Sequence, residues 1–136
     1  MKRICSLALG IVLLLGWPAL GQRPGTSTLP VTDGSGIPTV KAQMKLFTTR
    51  LDLSGDQQTK LVPILEDLHD ATARAVHDES KPARERLLQV HTARLAADRK
   101  IRVILTDEQK SKLDEIEHEP HPELHGTVDQ ALRPQE

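Results

Sequence analysis

The chain has 136 residues, of which 27% are charged and 1% are aromatic, and its formal net charge is −1 at pH 7. These values fit one small domain with a short leader, and they exclude an acidic tail protein, a polybasic nucleic-acid binder and an aromatic-lined ligand pocket. The single cysteine excludes a disulfide framework and a cysteine-rich zinc site.

Residues 1–21 have the layout of a secretory signal peptide. Two basic residues at positions 2–3 precede a nearly continuous apolar run at 7–15, and small residues at 19 and 21 lie just before the predicted cleavage site at Gln22. The apolar run is shorter than the roughly 20 residues that a membrane-spanning helix needs, so a retained anchor is the weaker alternative. We expect secretion, and no stable membrane insertion after the leader is removed.

The mature chain divides into three parts by composition. Residues 22–38 are rich in Gly, Pro, Ser and Thr and show no apolar periodicity, which is typical of a flexible linker. Residues 119–136 contain three prolines and scattered charges, which predicts a disordered tail. The folded domain is therefore expected at residues 39–118.

The pattern within this domain is helical throughout and predicts an all-α fold with about four helices. Apolar residues recur at intervals of three and four, the spacing of an amphipathic helix, and no stretch alternates with a period of two. The four stripes are Val40, Met44, Phe47 and Leu51; Leu61, Leu65, Leu68, Thr72 and Ala75; Leu87, Val90, Arg94, Ala97, Ile101 and Ile104; and Leu113 with Ile116.

Two prolines affect the second and third helices. Pro82 follows Lys81 between the two helices and suits a first helical turn. Pro63 lies inside the second helix, where it removes a backbone hydrogen bond and clashes with the carbonyl group of Thr59. We expect the second helix to bend there, with a limit on its length as the alternative.

Two helix starts have almost the same sequence, LSGDQ at 53–57 and LTDEQ at 105–109. In each, the hydroxyl residue can accept from the backbone N–H three residues on, and the glutamine can reach back to the N–H of the hydroxyl residue. Such a cap stabilises a helix by about 1 kcal/mol. Each leucine is expected to point into a core. These structural motif residues are Leu53, Ser54, Gln57, Leu105, Thr106 and Gln109.

The two motifs, in a secreted helical chain, resemble those of the Spy/CpxP family of periplasmic chaperones, also called the LTXXQ motif family. The resemblance covers residues 40–117 and the leader, and it is closest at residues 98–110, DRKIRVILTDEQK. It implies a long bent antiparallel α-hairpin with short flanking helices, paired in a cradle-like homodimer in the periplasm. This chain departs from the pattern by having Ser54 in the first motif, few methionines and aromatic residues, and no recognisable basic concave face.

The resemblance implies an ATP-independent chaperone or stress-response modulator whose partners are partly unfolded envelope proteins. Met44, Phe47, Leu51 and Arg50 are the candidate client-binding residues, with burial of the apolar stripe as the alternative. A homodimer is also expected on physical grounds, because a domain this small with thin aliphatic stripes buries little of its unfolded surface.

A periplasmic metal-binding sensor or metal-resistance protein is the alternative function, since the wider family includes zinc, nickel and cobalt binders. His118, His121 and His125 lie among glutamates, and imidazole and carboxylate groups suit Zn, Ni or Cu. Pro120 and Pro122 prevent a helical arrangement of these histidines, so the main expectation is no cofactor, with Zn or Ni as the alternative.

Catalysis is not expected, because no catalytic residue pattern is recognisable. The chain has no Gly-x-Ser-x-Gly elbow, phosphate-binding loop or dinucleotide fingerprint. The thin core also predicts no buried pocket for a substrate. We therefore expect a protein that is not an enzyme and has no nucleic-acid partner.

Overall fold

The computed structural model describes residues 31–133, and over that range the chain forms six helices and no β-strand. The all-α class is confirmed, and the four predicted helices are the four longest. The leader at 1–21 lies outside the described residues. No helix between residues 31 and 133 is long and apolar enough to cross a membrane. The helices are α1 (Val40–Leu51), α2 (Gly55–His77), α3 (Ala83–Ile104), α4 (Asp107–His118), α5 (Pro122–His125) and α6 (Val128–Ala131).

Helices α2 and α3 share the most extensive helix–helix contact in the described part of the chain. Near the connection between them, Arg86 Nη1 donates to the Val76 carbonyl oxygen at 2.7 Å, and near the other end Lys100 Nζ lies 3.4 Å from an Asp67 carboxylate oxygen. The two helices therefore run side by side in opposite directions. Pro63 lies inside α2, and the helix continues through it, so the proline does not limit the length of the helix.

A larger core, the motif core, lies where α1 and α4 pack against α2 and α3. Its members come from the predicted apolar stripes and from the leucines of the two helix-start motifs. Full burial of one such side chain stabilises the fold by about 1.5–3 kcal/mol. The motif core consists of Phe47, Leu51, Leu53, Leu61, Leu65, Ile101, Leu105, Leu113 and Ile116.

A second core, the clasp core, lies near the connection between α2 and α3. It consists of Ile37, Ala75, Val90, Val128 and Leu132. Three of these residues belong to the segments predicted as a flexible linker and a disordered tail, and they are at most 3% exposed. The structure differs from both predictions over the described parts of those segments, because isolated apolar residues give no periodic signal and become buried only when the two segments meet.

Residues 31–38 and 119–133 together form what we call the terminal clasp. The Thr127 N–H donates to the Gly36 carbonyl oxygen at 3.0 Å. Gly36 and Gly126 have φ values of +77° and +57°, a backbone conformation that residues with a side chain rarely adopt. A Cβ on Gly126 would also overlap the Gly36 carbonyl oxygen and lie 2.8 Å from Pro38 Cδ. The two segments therefore fit together only with glycine at residue 126.

Arg94, the polar break in the third apolar stripe, attaches the clasp to α3. Its Nη1 lies 3.0 Å from both carboxylate oxygens of Asp129, and its Nη2 donates to the His125 carbonyl oxygen at 3.0 Å. The guanidinium fork suits this two-sided contact better than a lysine would. On the other segment, the Asp33 side chain accepts from the N–H groups of Ser35 and Ile37 and orders the turn.

Candidate functional site

Both predicted capping boxes are present. Ser54 Oγ accepts from the Gln57 N–H at 3.3 Å, and Gln57 Oε1 accepts from the Ser54 N–H at 3.0 Å. Thr106 and Gln109 make the same two hydrogen bonds with the same distances. Each box therefore satisfies two backbone N–H donors at a helix start, which is a structural role.

The two boxes also contact each other, a feature that the sequence pattern does not predict. Gln57 Nε2 donates to Gln109 Oε1 at 2.7 Å, and Gln109 Nε2 donates to Gln57 Oε1 at 3.1 Å. Gln57 also donates to the Ile104 carbonyl oxygen, and Gln109 donates to that of Leu51, both at 3.1 Å. This paired amide joins the start of α2 to the start of α4. The near-identity of the two motifs does not by itself indicate that they meet.

The structure separates the four candidate client-binding residues. Phe47 and Leu51 are 3% and 0% exposed and belong to the motif core, so they are not surface contacts, and this corrects the prediction. Met44 is half-buried against the same core. Arg50 is exposed, and its Nη2 lies 3.2 Å from a carboxylate oxygen of Glu119.

A different apolar surface is exposed, and we call it the α3 outer face. Leu88, Leu95 and Val103 are 59%, 60% and 86% exposed. They lie about two turns apart along one helix of about 3.6 residues per turn, so they share a face. Exposed Arg99 lies between Leu95 and Val103 on that face. These residues fall outside the buried stripe of α3, and that offset is the signal that the sequence prediction missed.

The three C-terminal histidines do not form a ligand set in the structure. His118 Nδ1 lies 2.6 Å from the Asp114 carbonyl oxygen, and His121 Nε2 lies 2.8 Å from a Glu119 carboxylate oxygen. His125 is partly buried, and this burial, with the charge of Arg94, lowers its pKa. Across residues 31–133, no group of three or more His, Cys, Asp or Glu side chains could hold a metal ion.

A crevice of about 80 Å³, partly open to solvent, lies among helices α1 to α5. Five helices that meet with few aromatic side chains leave this gap. Burial, together with the charge of Asp98, raises the pKa of Glu117 at one wall of the crevice. The lining residues are Gln43, Phe47, Leu65, Leu68, Arg94, Ala97, Asp98, Ile101, Leu113, Glu117, Leu124 and His125.

Comparison of this chain with known proteins gives no match among family models, curated proteins or solved structures.

Proposed function

We propose that this protein is a periplasmic, ATP-independent chaperone or envelope-stress modulator that binds partly unfolded proteins. The likeness of its two helix-start motifs to those of the Spy/CpxP family suggests this role. The observation that carries the proposal is the α3 outer face, where Leu88, Leu95 and Val103 expose most of their side chains to solvent. An unfolded protein offers apolar segments that such a surface can cover.

The chemistry of this face suits weak and unselective binding. Burying an aliphatic side chain on contact is favourable by roughly 25 cal/mol per Å² of apolar area, and the effect needs no particular geometry. Arg99 keeps the face hydrated between contacts and can attract carboxylates of a client. No nucleotide is needed for such binding, because release follows from the small area that each client covers.

Contacts with the other helices fix the position of α3 and therefore of its outer face. Helix α3 packs along α2, and the paired amides of Gln57 and Gln109 join the starts of α2 and α4. Arg102 on α3 also lies 2.7 Å from Asp114 and 3.0 Å from Glu117 of α4. A client therefore meets a preformed surface, which lowers the entropic cost of binding.

The test is suppression of aggregation by residues 22–136. A chemically denatured client is diluted into buffer with and without the protein, and light scattering is followed over time. Wild-type protein in molar excess should reduce the scattering, and the double variant Leu88→Gln with Leu95→Gln should lose most of this effect. The matched control changes two exposed polar residues of α2, Lys60→Gln and Glu66→Gln.

Two outcomes of the scattering assay would contradict the proposal. The first is unchanged scattering with wild-type protein in several-fold excess, and the second is equal suppression by both variants. The proposal includes a homodimer, so sedimentation velocity accompanies the assay. A shift from dimer to monomer in the Leu88→Gln, Leu95→Gln variant would assign the α3 outer face to subunit contact instead of client binding.

A further inference from the structure

The crevice among helices α1 to α5 has the volume and lining of a small ligand site. Its volume of about 80 Å³ exceeds the roughly 10–15 Å³ that one water molecule needs, and it is about half of a 150 Å³ apolar cavity that holds benzene. On this ratio, and because benzene has six non-hydrogen atoms, a compound of about three non-hydrogen atoms is the largest that fits. Most of its lining is apolar and includes Phe47, Leu65, Leu68, Ile101, Leu113 and Leu124.

One polar side chain in this apolar wall lacks a partner. Gln43 of α1 is 4% exposed, and its Oε1 is buried without a hydrogen bond to any described residue. The same side chain lines a smaller cavity of about 10 Å³ beside Ile37 and Thr72. An unsatisfied buried acceptor is costly because it has lost its hydration, and a bound molecule that donates a hydrogen bond to it would remove that cost.

The charged groups at the crevice favour a neutral ligand. Asp98 and Glu117 oppose an anion, whereas Arg94 opposes a cation. The Arg94 guanidinium is already engaged by Asp129 and by the His125 carbonyl oxygen, so it is not free to pair with a carboxylate ligand. An ion would also lose its hydration without gaining a dedicated partner.

We propose that the crevice binds a short, neutral aliphatic alcohol, whose hydroxyl group donates to Gln43 Oε1 and whose alkyl chain contacts the leucine wall. The alcohol supplies the one donor that the site lacks and buries apolar surface against a preformed apolar lining. This inference does not depend on the proposed chaperone function, because no residue of the α3 outer face lines the crevice.

The experiment compares ethanol with dimethyl ether, two isomers of which only the alcohol can donate a hydrogen bond. Each is titrated into residues 22–136 while two-dimensional NMR follows the Gln43 side-chain amide and the methyl groups of Leu65 and Leu113. The alcohol should give saturable shifts at these positions. The ether should bind about tenfold more weakly, the factor that one hydrogen bond of about 1.4 kcal/mol contributes.

The variant Gln43→Met separates a designed site from a packing gap. Methionine has a similar length and carries no strong acceptor, so the fold should be kept and the melting temperature should rise. The preference for alcohol over ether should disappear in this variant. The matched control is Gln89→Met on α3, outside the crevice, where the preference should stay as in the wild type.

Three results would overturn the assignment. One is the absence of saturable shifts with ethanol, and another is equal binding of the alcohol and the ether by the wild-type protein. The third is an experimental structure with ethanol present in which an ordered water still donates to Gln43 Oε1, which would make water the partner of this side chain.

Discussion

The motif core and the clasp core differ in how the chain builds them. The motif core joins four helices through leucines at helical spacing, and two capping boxes with paired glutamines lie at its edge. The clasp core depends on two segments that are far apart in sequence and have no apolar period. The comparison shows that local signals and long-range fit stabilise opposite ends of one small domain.

This difference predicts unequal local stability. The clasp core has five buried members against nine in the motif core, and short segments contribute three of those five. Regions with less buried apolar surface open at lower free energy than the rest of a domain. We therefore expect the terminal clasp to open before the helices separate, and each prediction below tests one side of this comparison.

The largest expected effect is in the motif core. Leu65→Ala removes a side chain that is 0% exposed, and it should lower the free energy of unfolding by about 2–5 kcal/mol. Denaturant unfolding followed by circular dichroism measures this change. The control, Leu95→Ala on the exposed outer face, should change stability by less than about 0.5 kcal/mol. Equal losses would mean that Leu95 is buried in solution.

A smaller effect is expected at the clasp. Gly126→Ala places a Cβ against the Gly36 carbonyl oxygen and forces a φ of +57° on alanine, at a cost of about 1–3 kcal/mol. Hydrogen exchange should show lost protection of the Thr127 N–H while the α2 amides stay protected. Gly34→Ala is the control, because nothing lies within 4 Å of its added Cβ. Global unfolding by Gly126→Ala would show that the clasp has no separate stability.

The paired amides of the motif end should show a measurable coupling. In a double-mutant cycle of Gln57→Ala and Gln109→Ala, the interaction free energy should be about 1 kcal/mol, because two direct hydrogen bonds join these side chains. A cycle of Gln57→Ala with Gln130→Ala on α6 serves as the control and should give less than about 0.5 kcal/mol. Coupling as small as in the control cycle would count against a joint role for the two motifs.

The smallest expected effect is a pH dependence of the clasp. His125 is surrounded by Arg94, Asp129, His121 and His91, and burial is the main cause of its lowered pKa. The unfolded chain therefore binds the proton more readily, so stability should fall as the pH drops below 6.5 through the folded-state pKa.

Urea unfolding at a series of pH values between neutral and mildly acidic measures this dependence. His125→Gln should flatten the curve over that range, because glutamine does not titrate. His118→Gln, at the exposed end of α4, is the matched control and should leave the wild-type slope in place. If the His125→Gln variant shows the same pH dependence as the wild type, another group causes that dependence.

The surface and site residues show that an apolar stripe alone does not predict which side chains are buried, because burial depends on the elements that pack against the helix. Phe47 and Leu51 have helical spacing, which cannot tell a buried face from an exposed one, and the structure buries both. Leu88 and Leu95 lie off the main stripe of α3 and are exposed for that reason. The crevice and the unpartnered Gln43 arise only where five helices meet, so no local pattern could have predicted them.

The helices and their starts could be predicted from the sequence, because periodicity and capping act within a few residues. The pairing of Gln57 with Gln109 and the burial of Ile37, Val128 and Leu132 come instead from the packing of the whole domain. Both have the same cause. A hydrogen bond or an apolar contact between residues far apart in sequence depends on the shape that the intervening helices adopt, and one stretch of sequence does not contain that shape.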